Sequence, residues 1–125
     1  MHEHKSMGAY AAMRVTPQFK PINLVVWGAG TLKDWRTDLQ SEANVRTLVV
    51  QGSCDSMCQF TAVTEKQFLS GLPPNTVYRT IDGGNHCGFA SYPPVPMHDG
   101  VAKISRKEQH RQVCSETANF LLRDN

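Results

Sequence analysis

Three short apolar runs, at residues 22–27, 45–50 and 76–81, alternate along the chain with segments whose apolar side chains recur at helical spacing. The helical segments are residues 7–15 and 60–69, and residues 31–43 are expected to hold one short helix around Leu32, Trp35 and Leu39. Alternating strands and helices predict a parallel sheet, because the connection between two parallel strands is usually a helix. We therefore expect an α/β fold with three layers, helix–sheet–helix, around a parallel sheet of about three to four strands.

The three predicted strands are expected to differ in how fully they are buried. Residues 22–27 are almost continuously apolar, which is typical of a parallel strand covered on both faces. Residues 45–50 have the composition of a buried strand. In residues 76–81 polar and apolar side chains alternate, and Arg79 falls on the same side as Val77, so this segment suits an edge strand better than a central one.

Two helix boundaries carry local signals. Pro17 follows residues 7–15 and is expected to end the first helix, because proline has no backbone N–H to donate. Ser105 and Glu108 have the spacing of a capping box, which predicts that the last helix begins there. One face of this helix is expected to carry Val113, Thr117, Phe120 and Leu121.

Length and composition indicate one globular domain, residues 1–125. The chain is 40% hydrophobic and 19% charged, which is the composition of a folded domain and not of a disordered segment. A formal net charge of +2, with scattered basic residues, gives no reason to expect a nucleic acid or membrane partner. The N-terminus lacks the apolar core of a signal peptide, so we expect a cytoplasmic protein whose four cysteines are reduced.

Three side chains with complementary chemistry lie where strands end or helices begin. Asp55 follows the strand at residues 45–50, His86 follows the strand at residues 76–81, and Ser6 precedes the first helix. The carboxyl ends of parallel strands gather at one edge of a sheet, which is where such sheets place their chemistry. A hydroxyl nucleophile, an imidazole base and an orienting carboxylate together predict nucleophilic catalysis.

Each of these residues also has a structural interpretation. A serine before a helix is often an N-cap, an aspartate after a strand is often a turn former, and a loop histidine can simply bond to the backbone. Gly83 and Gly84 precede the histidine and are expected to give its turn positive φ angles. Asp82 and Asp99 are alternative carboxylates, but Asp82 lies on the histidine's own turn and Asp99 in the loop that follows, so neither has the rigid support of a strand and Asp55 is preferred.

Metal binding is the competing chemistry. Cys54, Cys58, His86 and Cys87 are potential zinc ligands, but their spacing does not match the usual structural zinc motifs, so no metal is expected.

The segment after the third strand resembles a known family. The residues that carry the resemblance are Gly83, Gly84, Asn85, His86, Cys87, Gly88 and Phe89, followed by Tyr92, His98, Asp99, Gly100, Ile104, Ser105 and Gln109. This pattern is similar to the C-terminal part of α/β-hydrolases of the dienelactone-hydrolase-like group. The likeness is specific over residues 45–122 and looser back to Ser6.

The resemblance implies roles for four residues. Ser6 corresponds to the nucleophile, Asp55 to the acid and His86 to the base, and the Met7 backbone amide to one oxyanion donor. It also implies hydrolysis of ester or acyl small molecules through a covalent acyl-enzyme, with no cofactor.

The chain departs from the family pattern at its start. His4 occupies a position where the GxSxG elbow has glycine, and the first half of the family's fold has no counterpart before Ser6. We therefore expect a truncated α/β-hydrolase fold in which the strand at residues 22–27 forms an exposed edge, covered by a second copy or a partner chain. Activity is expected to be weak or incomplete, and the alternative is a non-catalytic remnant that serves as an interaction module.

Overall fold

The computed structural model describes residues 7–28, 39–56, 70–91 and 99–123 of the 125-residue chain. The predicted helix at residues 60–69 lies outside the described residues, and so do residues 31–38 of the segment expected to hold a short helix. Residues 39–43 of that segment form turns, so the predicted helix does not include Leu39. In chain order, the described elements are helix α1 (Met7–Phe19), strands β1 (Asn23–Trp27), β2 (Arg46–Gly52) and β3 (Val77–Ile81), a 3₁₀ turn (Cys87–Phe89) and helix α2 (Arg106–Leu122).

The three strands form one parallel sheet in the order β1-β2-β3. Asn23 pairs in register with Arg46 at one end of β1, and Trp27 pairs with Val50 at the other. Leu48 pairs with Val77 between β2 and β3. The predicted α/β class with a small parallel sheet is confirmed, and all three strands end at the same edge.

Within the described residues, one helix packs on each face of the sheet. The core on the α1 face consists of Met13, Leu24, Val26, Leu39, Val45, Val49 and Leu72. The core on the α2 face consists of Leu48, Val50, Ile81, Val113 and Phe120. Alternate residues of each strand point to opposite faces, so β2 contributes to both cores, and the predicted three layers are confirmed.

β2 is the central strand, and every one of its residues after Arg46 is buried. β1 is different, because only Leu24 and Val26, which face α1, are fully buried. Trp27 is 41% exposed and Ile22, just before the strand, is 76% exposed. The prediction that this segment is covered on both faces is therefore wrong, because β1 lies at an edge of the described sheet and its second face meets only part of α2.

The prediction that Pro17 ends the first helix is also wrong. α1 continues to Phe19, two residues further. A proline in the last turn removes only one helical hydrogen bond, and that loss does not stop a helix already packed on the sheet. The helix ends where Lys20 adopts a φ of 48° and donates its backbone N–H to the Thr16 carbonyl at 2.9 Å, as in an αL cap.

The predicted start of the last helix is confirmed. The Ser105 hydroxyl accepts the Glu108 backbone N–H at 3.0 Å and caps α2. The predicted inward face is only partly correct, because Leu121 is 37% exposed whereas Gln109 is fully buried. Leu121 follows the buried Phe120, and because each helical residue is rotated by about 100° from the one before, its side chain points away from the core.

Side chains in the first turns of α2 pair with one another. Arg111 donates to both Glu108 carboxylate oxygens, and Gln112 donates to one of them. The hydrogen bonds from Arg111, and then from Gln112, lower the pKa of Glu108 from 4.5 to about 2. Neither α1 nor α2, the helices in the described segments, is long and apolar enough to cross a bilayer.

Candidate active site

Two loops at the carboxyl ends of β2 and β3 carry the candidate acid and base. β2 ends at Gly52, and Asp55 lies three residues beyond it; β3 ends at Ile81, and His86 lies five residues beyond. The strands are parallel neighbours, so their loops leave the sheet side by side. Both side chains are buried there, with Asp55 1% and His86 8% exposed.

Hydrogen bonds join these two loops directly. The Ser53 backbone N–H donates to the Ile81 carbonyl at 3.1 Å, and the Cys54 N–H donates to the Gly84 carbonyl at 2.7 Å. In the reverse direction, the Gly83 N–H donates to the Ser53 hydroxyl at 2.7 Å. These bonds continue the pairing of β2 and β3 past the ends of the strands, so the relative position of acid and base is set by backbone contacts.

The imidazole of His86 contacts the carboxylate of Asp55. His86 Nδ1 lies 2.9 Å from Asp55 Oδ2, and both side chains are almost fully shielded from solvent. An ionised carboxylate can only accept, so Nδ1 carries the proton and donates it. This tautomer leaves Nε2 as the basic nitrogen, which is the form needed to take a proton from a nucleophile.

The end of β1 approaches the same imidazole. Gly28 follows β1, has a φ of 62°, and donates its N–H to the Val50 carbonyl at 2.9 Å. A Cβ atom added at Gly28 would lie 3.1 Å from Phe89 Cδ2 and 3.2 Å from His86 Nδ1. From the sequence, Gly28 is the end of a strand and the start of a loop expected to contribute to the pocket walls, and in the structure it forms one wall around the histidine ring.

The backbone of the histidine turn is held by Asp99. Its Oδ1 accepts the His86 N–H at 3.0 Å, and its Oδ2 accepts the Cys87 N–H at 2.8 Å. Asp82, the other alternative carboxylate, accepts from the Ser53 hydroxyl at 3.3 Å. Asp55 is thus the one of these three carboxylates that contacts the ring, while Asp99 anchors the peptide that carries it.

A second anchor comes from Gln109 on α2. Its Nε2 donates to the Asn85 carbonyl at 2.8 Å, and its Oε1 accepts the Asn85 N–H at 3.1 Å. The Asn85 side chain in turn accepts the Gly88 N–H at 2.9 Å and donates to the Gly100 carbonyl at 2.9 Å. The sequence analysis noted Asn85 and Gln109 as part of a family pattern and Asp99 also as an alternative carboxylate, and it predicted none of these backbone contacts.

Gly83 and Gly84, the two glycines before the histidine, differ in backbone conformation and in packing. Gly83 has a φ of 81°, as predicted. Gly84 has no positive φ, so for it the prediction is wrong. A Cβ at Gly84 would lie 2.9 Å from the Gln109 side chain, and this position is therefore small because of packing and not because of backbone conformation.

The predicted nucleophile, Ser6, lies outside the described residues. Met7, the predicted oxyanion donor, is the first residue of α1. α1 precedes β1 in the chain and packs against it. The backbone N–H groups of a first helical turn have no helical acceptor, which suits such a position to binding negative charge.

The cysteines near the site form no disulfide in the described part of the chain, where Cys87 is buried and Cys54 partly exposed. Cys58, the fourth residue of the alternative zinc set, lies outside the described residues. Among the residues that are described, no group of three His, Cys, Asp or Glu side chains is arranged to hold a metal ion.

Comparison with known proteins agrees with this geometry. The sequence model of the alpha/beta hydrolase family matches residues 3–111. The chain belongs to the alpha/beta hydrolase family. The matched range includes both candidate loops and Gln109. A search of curated proteins finds no match.

Proposed function

We propose that this alpha/beta hydrolase family member is a serine hydrolase of carboxylic ester or acyl substrates. Ser6 is the nucleophile, His86 the general base and Asp55 the carboxylate that orients the base. The backbone N–H of Met7 donates to the oxyanion. The observation that carries the proposal is the buried hydrogen bond of 2.9 Å between His86 Nδ1 and Asp55 Oδ2.

In the proposed reaction, the Ser6 hydroxyl attacks the carbonyl carbon of the substrate while His86 Nε2 takes the hydroxyl proton. The carboxylate of Asp55 stabilises the resulting imidazolium through Nδ1–H. His86 then returns the proton to the leaving alcohol, which departs and leaves an acyl group on Ser6. His86 Nε2 then takes a proton from water, whose oxygen attacks the acyl carbon, and returns that proton to the Ser6 oxygen as the bond between Ser6 and the acyl group breaks and the acid is released.

The nucleophile is tested by covalent labelling. A fluorophosphonate probe is incubated with the native protein, and the adduct is measured by intact mass. We expect the wild type to be labelled and Ser6→Ala to remain unlabelled. Ser70→Ala, an exposed serine at a distance from both candidate loops, is the matched control and is expected to be labelled like the wild type. No adduct on the folded wild type, or equal labelling of Ser6→Ala, would exclude Ser6 as the nucleophile.

The acid is tested by Asp55→Asn. The asparagine amide would face His86 Nδ1 with a donor or a weaker acceptor, which disfavours the Nδ1–H tautomer. Loss of the correct tautomer in a catalytic triad lowers kcat about 10⁴-fold. Hydrolysis of an activated phenyl ester measures this loss, and Asp82→Asn is the control, since its carboxylate contacts Ser53 instead of the imidazole. An unchanged rate for Asp55→Asn would contradict the assigned role.

One observation favours a second candidate, an interaction module. β1 is an edge of the described sheet, and Phe19 and Ile22 beside it are 75% and 76% exposed. An unpaired strand edge with apolar neighbours is suited to pairing with a second copy or a partner chain. Analytical ultracentrifugation tests this candidate, and a monomer at every concentration would contradict self-association.

A further inference from the structure

We propose that Gln109 is a positioning residue for the base: it holds the peptide that precedes His86 and so keeps the imidazole against Asp55. This inference rests on the proposed function for its effect on rate. Gln109 acts through His86 and does not itself contact substrate.

The peptide unit between Asn85 and His86 is held by a hydrogen bond at its oxygen and another at its hydrogen. The carbonyl of Asn85 accepts a hydrogen bond of 2.8 Å from Gln109 Nε2. The N–H of His86, which belongs to the same planar unit, donates to Asp99 Oδ1 at 3.0 Å. Because a peptide bond is planar, fixing its oxygen and its hydrogen fixes the whole plane and the position of the His86 Cα. The next peptide is fixed by the Cys87 N–H, which donates to Asp99 Oδ2 at 2.8 Å, and the two planes together set the direction of the His86 Cα–Cβ bond.

Gln109 also holds the preceding N–H. Its Oε1 accepts from the Asn85 N–H at 3.1 Å, so one amide side chain satisfies both backbone groups of one residue, as a neighbouring strand would. The side chain is fully buried, and it brings no unpaired polar atom into the core, because both ends of its amide are bonded. Such a doubly bonded amide restrains rotation of the turn that carries the base.

The surrounding sequence makes room for this side chain. A Cβ at Gly84 would lie 2.9 Å from the Gln109 amide carbon, and a Cβ at Gly88 would overlap the amide. Gly84 and Gly88 lie on either side of Asn85, His86 and Cys87. Because neither position has a side chain, the turn leaves room for the glutamine amide. Because both glycines flank the base, the fit between them and Gln109 indicates that Gln109 fixes the position of the base and does not only pack α2.

Gln109 lies on a rigid element, helix α2. Gln109 lies in the first turns of α2, and its own N–H donates to the Ser105 carbonyl at 2.9 Å. The Ser105 hydroxyl caps the same turn through Glu108. The glutamine therefore transmits the position of α2, which is packed on β2 and β3, to the loop that follows β3.

The test compares Gln109→Met with Gln112→Met. Both replace a glutamine on α2 with a side chain of similar length that forms no amide hydrogen bond, but Gln112 donates to Glu108 and not to the turn that carries the base. We expect Gln109→Met to lower kcat for an activated ester about 10- to 100-fold with KM nearly unchanged, because a shift of about 1 Å in a catalytic group can cost about 10²-fold in rate. Gln112→Met is expected to keep the wild-type rate.

A second measurement does not depend on activity. The Nδ1 proton shared by His86 and Asp55 gives a downfield proton NMR signal, which Asp55→Asn assigns by its loss. Gln109→Met is expected to shift this signal upfield or to broaden it, while Gln112→Met leaves it unchanged. An unchanged signal and an unchanged kcat in folded Gln109→Met would overturn the inference. If that variant does not fold, Gly88→Ala is measured in its place, because it retains the glutamine and displaces its amide.

The two proposals fail in different ways. If the wild type is not labelled and does not hydrolyse esters, but the Nδ1 signal still depends on Gln109, the proposed function fails and the positioning role stands. If the wild type is active and Gln109→Met retains both rate and signal, the positioning role fails and the proposed function stands.

Discussion

Replacing Gly28 by alanine is expected to destabilise the protein and to displace the base. Gly28 has a φ of 62°, in the left-handed region that costs an alanine about 1 kcal/mol relative to glycine. The new methyl group would also lie 3.1 Å from Phe89 Cδ2 and 3.2 Å from His86 Nδ1, which is tighter than ordinary contact. Crowding of this kind costs about 1–3 kcal/mol.

These two costs oppose the gain of up to about 1 kcal/mol that alanine brings by restricting the unfolded chain. The net destabilisation is therefore about 2 kcal/mol. For a chain of 125 residues, each kcal/mol corresponds to a change in Tm of about 4 °C. Thermal unfolding followed by circular dichroism is thus expected to give a Tm about 8 °C below that of the wild type.

The contribution of crowding can be separated from that of the backbone. In the double variant Gly28→Ala/Phe89→Leu the aromatic neighbour is removed, so part of the loss caused by Gly28→Ala should be recovered relative to Phe89→Leu alone. The downfield signal of the His86 Nδ1 proton should move in Gly28→Ala and return toward its original position in the double variant. A Gly28→Ala protein with wild-type Tm and an unmoved signal would refute both the strain and the contact.

Two further predictions concern the start of α2. Ser105→Ala removes the N-cap and is expected to lower the free energy of unfolding by about 1 kcal/mol, measured by urea denaturation, whereas Ser115→Ala on the exposed face of the same helix should change it little. Glu108 has a folded-state pKa of about 2, below its ordinary 4.5, so it stabilises the fold above about pH 4.5 and loses this effect as the pH falls toward 2. The Tm of Glu108→Gln should therefore lie below that of the wild type at pH 7 and coincide with it near pH 2; a constant difference across this range would contradict the shifted pKa.

The contact between Asp55 and His86 was predictable because it follows from topology. Two adjacent parallel strands, recognisable from their apolar runs, place the residues that follow them at one edge of the sheet. The choice of Asp55 over Asp82 and Asp99 followed from the same argument. The roles of Ser6 as nucleophile and Met7 as oxyanion donor stay predictions.

Other features could not be obtained from local patterns. Gln109 is polar, so a search for apolar periodicity cannot reveal that it is buried; its role depends on Asn85, which is 24 residues away in sequence. The exposure of β1 depends on which elements pack against it, and that of Leu121 depends on which side of α2 meets the sheet. Helix α1 passes Pro17 because the energy of packing on the sheet outweighs one lost hydrogen bond.

During synthesis, the acid and the base leave the ribosome before the helix that holds the base. Asp55 and His86 are 31 residues apart, and Gln109 follows Asn85 by another 24. The loops after β2 and β3 can pair as soon as both strands have emerged, but the carbonyl of Asn85 gains its partner only when α2 packs on the sheet. In the nascent chain, the orientation of the imidazole is therefore completed last, by an element that carries neither the acid nor the base.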